Sequence, residues 1–140
     1  MGNSGSINSN ILLNFEDMQD IIKTHTNYII INTLPENQQE CLITHSLNAS
    51  QEESVINNCI QKRKTDTKII VYGQSSNDES IRNKYRQLTK LGFTQVYIYT
   101  AGLFEWLLLQ DIYGADEFPT TKKELDILKY KACKTDNYKY

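Results

Sequence analysis

The groups in this chain that could do chemistry are few: the thiols of Cys41, Cys59 and Cys133, the imidazoles of His25 and His45, and the polar run Gly73-Gln74-Ser75-Ser76-Asn77-Asp78-Glu79-Ser80. That run follows the apolar stretch Ile69-Ile70-Val71-Tyr72, so it reads as the end of a buried strand, a tight turn and the first turn of a helix. In an open α/β sheet, ligands bind at this junction. Covalent chemistry on a sulfur or phosphate group there needs a nucleophile at the base of the turn and a cation nearby. Position 73 offers a hydrogen atom, and the run contains no Arg. The site for chemistry is present without the reagents.

The thiols elsewhere offer little replacement. Cys59 falls between Ile56 and Ile60 on an apolar helix face, which predicts a core residue. Cys133 sits in a polar tail between Lys131 and Lys134, whose charges favour the thiolate, but the sequence around it builds no pocket. Cys41, beside a short apolar stretch after an irregular loop, is the one rescue candidate. His45 is expected near the mouth of the turn as a surface residue, and His25 at a helix end. Three widely spaced cysteines without a CxxC pair argue against a disulfide framework or a zinc site and for a reducing compartment. No cofactor or metal is expected.

A chain of 140 residues fits one domain with its own core. A net charge of -2 and a pI near 5.7 give no overall basic field to attract nucleic acid. No apolar stretch is long enough to span a bilayer, and no charged-then-hydrophobic leader opens the chain, so it reads as cytoplasmic. The start, Met1-Gly2-Asn3-Ser4-Gly5-Ser6, matches the myristoylation pattern with Gly2 as acceptor. One acyl chain binds membrane only marginally and no basic cluster follows Ser6, so any attachment through Gly2 is weak unless the Lys-rich tail adds a second signal.

Periodicity supplies the elements that position these groups. Asn10 to Leu13 reads as a short strand, followed by a helix capped at Asn14 with Phe15, Met18 and Ile22 on one face. Tyr28 to Asn32 is a strand apolar on both faces, as in a covered parallel sheet. After a loop around Pro35 comes a second short strand, Cys41-Leu42-Ile43. Ser50 and Glu53 form a capping box for a helix with Val55, Ile56, Cys59 and Ile60 inside, and Lys68 to Tyr72 is the next strand. Ser76 and Glu79 open a helix carrying Ile81, Tyr85 and Leu88, with Gly92 just past its end. Gln95 to Tyr99 is the last central strand. Leu103 to Leu109 is apolar nearly all round and is expected to be buried, Trp106 and Phe104 included. Thr121 and Glu124 are expected to cap a final helix before a polar end, Lys131 to Tyr140. Strand and helix alternating over short connections predict a three-layer α/β/α domain with a parallel sheet of about five strands.

Several of these segments together resemble the rhodanese-like domain family. That family shows an apolar strand ending in Tyr-Cys, a loop closing with Arg-Ser, a helix ending Leu-Gly-Phe, a Val-Tyr strand and a Gly-Gly-x-x-x-Trp helix. Here the counterparts are Tyr72-Gly73, Leu91-Gly92-Phe93, Val96-Tyr97 and Ala101-Gly102 with Trp106. The first half departs further: Asn32-Thr33-Leu34 stands for Asp-x-Arg, and Thr44-His45-Ser46-Leu47-Asn48-Ala49 for Gly-His-Ile-Pro-Gly-Ala. The resemblance spans about residues 10 to 113. It divides the chain into a flexible start (1–9), a rhodanese-like domain (10–120) and a C-terminal helix with a polar tail (121–140). The chain also resembles small rhodanese-like proteins of large DNA viruses, and its abundant Asn, Ile, Lys and Tyr suit an AT-rich genome; the setting this implies is host cytoplasm or virion.

The resemblance implies a loop that once carried a persulfide-forming cysteine. With Gly73 at that position and Asp78 or Glu79 near the place of the Arg, it implies a non-catalytic domain acting as a protein-binding or scaffold module. Two alternatives stand beside it. One is a sulfurtransferase using Cys41 as a relocated nucleophile; the other is a small-ligand pocket at the Gly73 loop that takes neutral or cationic groups. The segment from Lys122 through Tyr130 to Tyr140 is either a partner-docking helix or a solvated edge.

Overall fold

In the computed structural model the residues described are 9–24, 27–76 and 78–133. Gly2, His25, Asn77 and Lys134 lie outside them.

The strands are β1 (Leu12–Leu13), β2 (Tyr28–Asn32), β3 (Ser46–Leu47), β4 (Lys68–Tyr72) and β5 (Val96–Tyr99), joined in one parallel five-stranded sheet of order β1-β5-β4-β2-β3. The helices are α1 (Phe15–Thr24), α2 (Ala49–Gln61), α3 (Glu79–Lys90) and α4 (Gly102–Tyr113). Helices α1 and α4 cover one face through Met18, Ile21, Ile22, Leu103, Trp106 and Leu107, which meet Ile30, Ile70 and Tyr72 of the sheet. On the other face α2 and α3 bring Ile56, Cys59, Ile81 and Leu88 against Ile31, Ile69, Val71, Val96 and Ile98. Consecutive strand residues thus serve opposite cores, which is why β2 and β4 are apolar without alternation.

Local chemistry sets the helix ends. Asn14 caps α1, its Oδ1 accepting from the Asp17 N–H at 3.0 Å, while Asp17 accepts in return from the Asn14 N–H at 2.9 Å. Gly92 closes α3 at φ 107°, in the left-handed region that favours glycine, and the Phe93 N–H reaches back to Leu88 O at 3.2 Å.

Four local expectations are corrected. Cys41-Leu42-Ile43 forms no strand in the parallel sheet; Ile43 makes an isolated antiparallel bridge to Thr120, and the edge strand is Ser46–Leu47. Asn48 caps α2, with the reciprocal bond from Gln51, in place of Ser50 and Glu53. Asp78 caps α3, in place of Ser76. No final helix forms among the described residues: beyond α4 the chain runs back as an irregular strap ending in a 3-10 turn, Ile127–Tyr130.

The strap has a physical cause. Its backbone finds partners on the Cys41 loop: Thr44 N–H donates to Pro119 O, Thr121 N–H to Leu42 O, and the Leu42 N–H to the Thr121 hydroxyl. Phe118 and Tyr130 are buried under it, whereas Leu125 and Leu128, which a helix would have turned inward, are exposed. Phe118 and Tyr130 thus anchor the segment on the domain while Lys122, Lys123, Leu125, Asp126, Leu128 and Lys129 stay exposed, so its described part is a strap with a solvated outer edge and forms no docking helix. Helix α4 is buried on one face only, leaving Leu108, Ile112 and Tyr113 outside.

Candidate functional site

The connections leaving β4 and β2 run in opposite directions, from β4 towards β5 and from β2 towards β3. The crevice between the carboxyl ends of β4 and β2 is therefore the switch point at which open α/β sheets bind ligands. Gly73 and Thr33 stand there, joined by the Thr33 N–H donating to Tyr72 O at 2.9 Å.

At Gly73 the crevice is filled by the chain itself. A Cβ placed on Gly73 would lie 2.5 Å from Asp78 Oδ2, 2.8 Å from Thr33 Oγ1 and 2.9 Å from Ile81 Cγ1. Real Cβ atoms do not approach so closely, so any side chain at this position requires Asp78, Thr33 and Ile81 to shift. A positive φ at Gly73, the other reason a strand-ending turn would need glycine, is absent; the left-handed glycines among the described residues are Gly92, Gly102 and Gly114. The Asp78 carboxylate occupies the volume in which a side chain at 73 would begin. It is fixed there by the Gln74 N–H at 3.1 Å, the Ser80 N–H at 3.0 Å and the Ser80 hydroxyl. Ser80 Oγ also lies 2.7 Å from Thr33 Oγ1, which carries the network across to β2.

The neighbouring donors are engaged as well. The first amides of α4 point into the turn: Leu103 N–H donates to Gly73 O at 2.9 Å and Phe104 N–H to Gln74 O at 2.8 Å. Gly102, at φ 73°, permits this approach, because a Cβ there would meet Gly73 O at 2.6 Å and Ser75 N at 2.9 Å. A helix N-terminus that would stabilise an anion instead holds loop carbonyls. Ser75 is buried beneath the turn, and the Gln74 side-chain amide bonds Gln38 across the mouth. Asn32 and Gln39 brace the opposite wall with paired amide bonds of 3.1 and 2.8 Å; Gln39 also takes the Ala49 N–H at 3.0 Å. No sequence signal marked Gln39, because it acts through loop geometry.

The other candidates are placed apart from this crevice's chemistry. Cys41 is 3% exposed beneath the strap, its Sγ donating to Lys122 O at 3.1 Å. Burial pushes its thiol up from the ordinary value, so the nucleophilic thiolate is disfavoured. Cys59 is buried among the α2 and α3 residues, as its helix position predicts, and Cys133 is exposed. His45 is exposed in a left-handed turn at φ 74°. Trp106 is fully buried, its ring edge-on to Tyr99 and Phe118 and its indole N–H on Pro119 O at 3.0 Å, so it is a core residue. Glu79 begins α3 as a first-turn acid. Among the described residues no group of His, Cys, Asp and Glu could hold a metal, and no helix is long and apolar enough to cross a membrane. Thr100, just after β5, keeps a buried hydroxyl without a partner among the described residues, a desolvation cost of about 1–3 kcal/mol.

A doubly wound parallel sheet with a strand-turn-helix cradle at its switch point defines the class. The chain belongs to the rhodanese-like domain family, whose pattern it matches over residues 14–109. Solved structures agree on the fold. A rhodanese-like domain from Anabaena is 17% identical, with 93% of this chain and 90% of that one covered at a TM-score of 0.57. A Lactobacillus plantarum protein is 13% identical over 72% of this chain and 85% of its own, at 0.56. A thiosulfate sulfurtransferase from Pseudomonas aeruginosa is 16% identical over 85% of this chain but only 23% of its own length, at 0.56. At such identities the likeness shows the fold alone. No curated protein sequence gives a significant match.

Proposed function

We propose that this chain is a rhodanese-like domain without sulfurtransferase activity that acts as a protein-binding or scaffold module. The observation that carries the reading is the Asp78 carboxylate lying where a side chain on residue 73 would start. A thiolate in this crevice would face that charge, and two like charges about 5 Å apart at an effective dielectric of about 20 repel by roughly 3 kcal/mol. A helix N-terminus returns at most about 2 kcal/mol to an anion, and here its first amides already hold Gly73 and Gln74 carbonyls. A persulfide or oxyanion intermediate therefore has neither a covalent carrier nor a favourable field.

A binding role is supported by the outer side of α4, which exposes Leu108, Ile112 and Tyr113. Myristoylation at Gly2 would add a weak membrane tether under this reading, and a viral origin would place it in host cytoplasm or virion; intact-mass measurement of the native protein reads the first directly. The central test is the transfer of sulfur from thiosulfate to cyanide. The expected result is no turnover above that of free thiol; turnover that disappears in Cys41→Ser would replace this reading with the relocated enzyme.

A further inference from the structure

The Gly73 turn closes one part of this end of the sheet, and a pocket of about 320 Å³ lined by Thr33 and Ser80 opens beside it. On the far side of the turn, over β1 and β5 and beside the first turn of α3, lies a cavity of about 260 Å³. Leu12, Ile81 and Ile98 make its apolar wall; Ser76, Asp78, Arg82 and Thr100 make its polar wall. At about 30 Å³ per water-sized group it has room for roughly nine of them.

The polar wall carries both signs of charge. Arg82 forms no ion pair among the described residues, so its guanidinium fork is available. Asp78 stands one helical turn earlier, with three donors already on a carboxylate that offers about four lone-pair positions. Thr100 adds the one buried hydroxyl left unpartnered among the described residues. A simple anion would gain Arg82 but face Asp78, and a simple cation would meet the reverse. A ligand bearing both charges on adjacent atoms, with an apolar body, matches the whole lining.

We propose that this cavity binds a free α-amino acid with a leucine- or phenylalanine-sized side chain. The carboxylate lies on Arg82 and the Ser76 hydroxyl, the ammonium donates to Asp78 and Thr100, and the side chain covers Leu12, Ile81 and Ile98. The site adjoins the crevice at Gly73 and shares Asp78 and Ile81 with it, but its occupancy does not depend on whether the domain transfers sulfur.

The test is titration of the full chain, by calorimetry and by amide NMR, with L-leucine, L-phenylalanine, 4-methylpentanoate, which lacks the ammonium, and 3-methylbutylamine, which lacks the carboxylate. Saturable binding of an amino acid below about 10 mM is expected, with shift changes at Ile81, Ile98 and Thr100 and affinity at least about tenfold weaker for both analogues. Arg82→Gln, an exposed position, should lose at least about tenfold, whereas Arg86→Gln on the same helix should change nothing. No saturation by either amino acid, equal binding of the analogues, or an unchanged Arg82→Gln each overturns the proposal. The sulfur-transfer assay, run on the same protein, reports separately on the reading of the crevice.

Discussion

The Gly73 turn and the Cys41 loop each hold one of the two requirements of thiol chemistry. The turn has the location, at the switch point beside an approaching helix N-terminus, but no thiol and a carboxylate in the thiol's volume. The loop has the thiol, but sealed under the strap and shifted away from the thiolate. Tyr72 joins the two: its carbonyl takes the Thr33 N–H, while its hydroxyl takes the Ile43 N–H at 3.0 Å and lies 2.7 Å from Ser46 Oγ. Proximity through one strand residue is not sufficient. A nucleophile needs position and ionisation in the same place.

Unsealing the Cys41 side should have the largest effect. Phe118 packs on Trp106 with ring centroids 5.0 Å apart and on Phe15 at 5.8 Å. Phe118→Ala is expected to cost about 3–5 kcal/mol by denaturant unfolding, the usual range for deleting a buried aromatic. Thiol-reagent labelling in the native protein should then rise at Cys41, whereas in the wild type Cys133 labels at once and Cys41 only as fast as the chain opens. Rapid wild-type labelling of Cys41 would break the contrast between the two regions.

Refilling the Gly73 side should cost less. Gly73→Cys forces its Cβ against Asp78, Thr33 and Ile81, and overpacking of this kind costs about 1–3 kcal/mol. Pairing it with Asp78→Ser removes the obstructing carboxylate and retains a residue able to cap α3, so the double variant should be more stable than the sum of the two single changes. Sulfur transfer by Gly73→Cys alone would show that Asp78 does not govern the crevice.

The sequence made the sheet, its two cores and the strand-turn-helix junction legible, because continuous apolar strands and one-faced helices are local signals of a covered parallel sheet. The place of Gly73 is legible in the sequence, but the reason for glycine is not, since the volume taken by Asp78 depends on how α3 docks. The strap escapes a sequence reading for a similar cause. Thr121 and Glu124 have the spacing of a capping box, yet the backbone there bonds to residues far earlier in the chain, and periodicity carries no information about such partners. The same holds for Gln39 and for the amides of α4 that meet the turn.

Anchorage of the Cys41 loop at its far end gives a smaller test. Asn48 Oδ1 accepts from the Ser50 N–H at 3.0 Å and opens α2 where the loop returns to the sheet. Asn48→Ala should cost about 1 kcal/mol, and Ser50→Ala only a few tenths. The reverse order in chemical unfolding would restore the cap expected at Ser50.

The smallest effect lies in alkaline solution and separates the thiol from the tyrosines beside it. Burial first, and then the nearby Glu124, raise the Cys41 thiol above its ordinary 9.0, against the lowering influence of Thr120 and Lys129. Burial likewise raises Tyr72 and Tyr99 above 10.0; Tyr99 is raised further by the Glu105 carboxylate that accepts its hydroxyl proton at 2.6 Å. In each case the unfolded chain releases the proton first, so the native state binds more protons and stability falls with rising pH. The stability these groups contribute is complete below pH 9.0 and is lost as the pH climbs towards their raised values. Cys41→Ser should therefore flatten the decline that begins near 9.0 and, because the Cys41 charge adds to burial in raising Tyr72, lessen slightly the tyrosine part above 10.0, measured as the denaturant midpoint against pH. A Cys41→Ser curve that coincides with the wild type would mean that the thiol ionises as freely in the native chain as in the unfolded one, and the sealed half of the comparison would then be open after all.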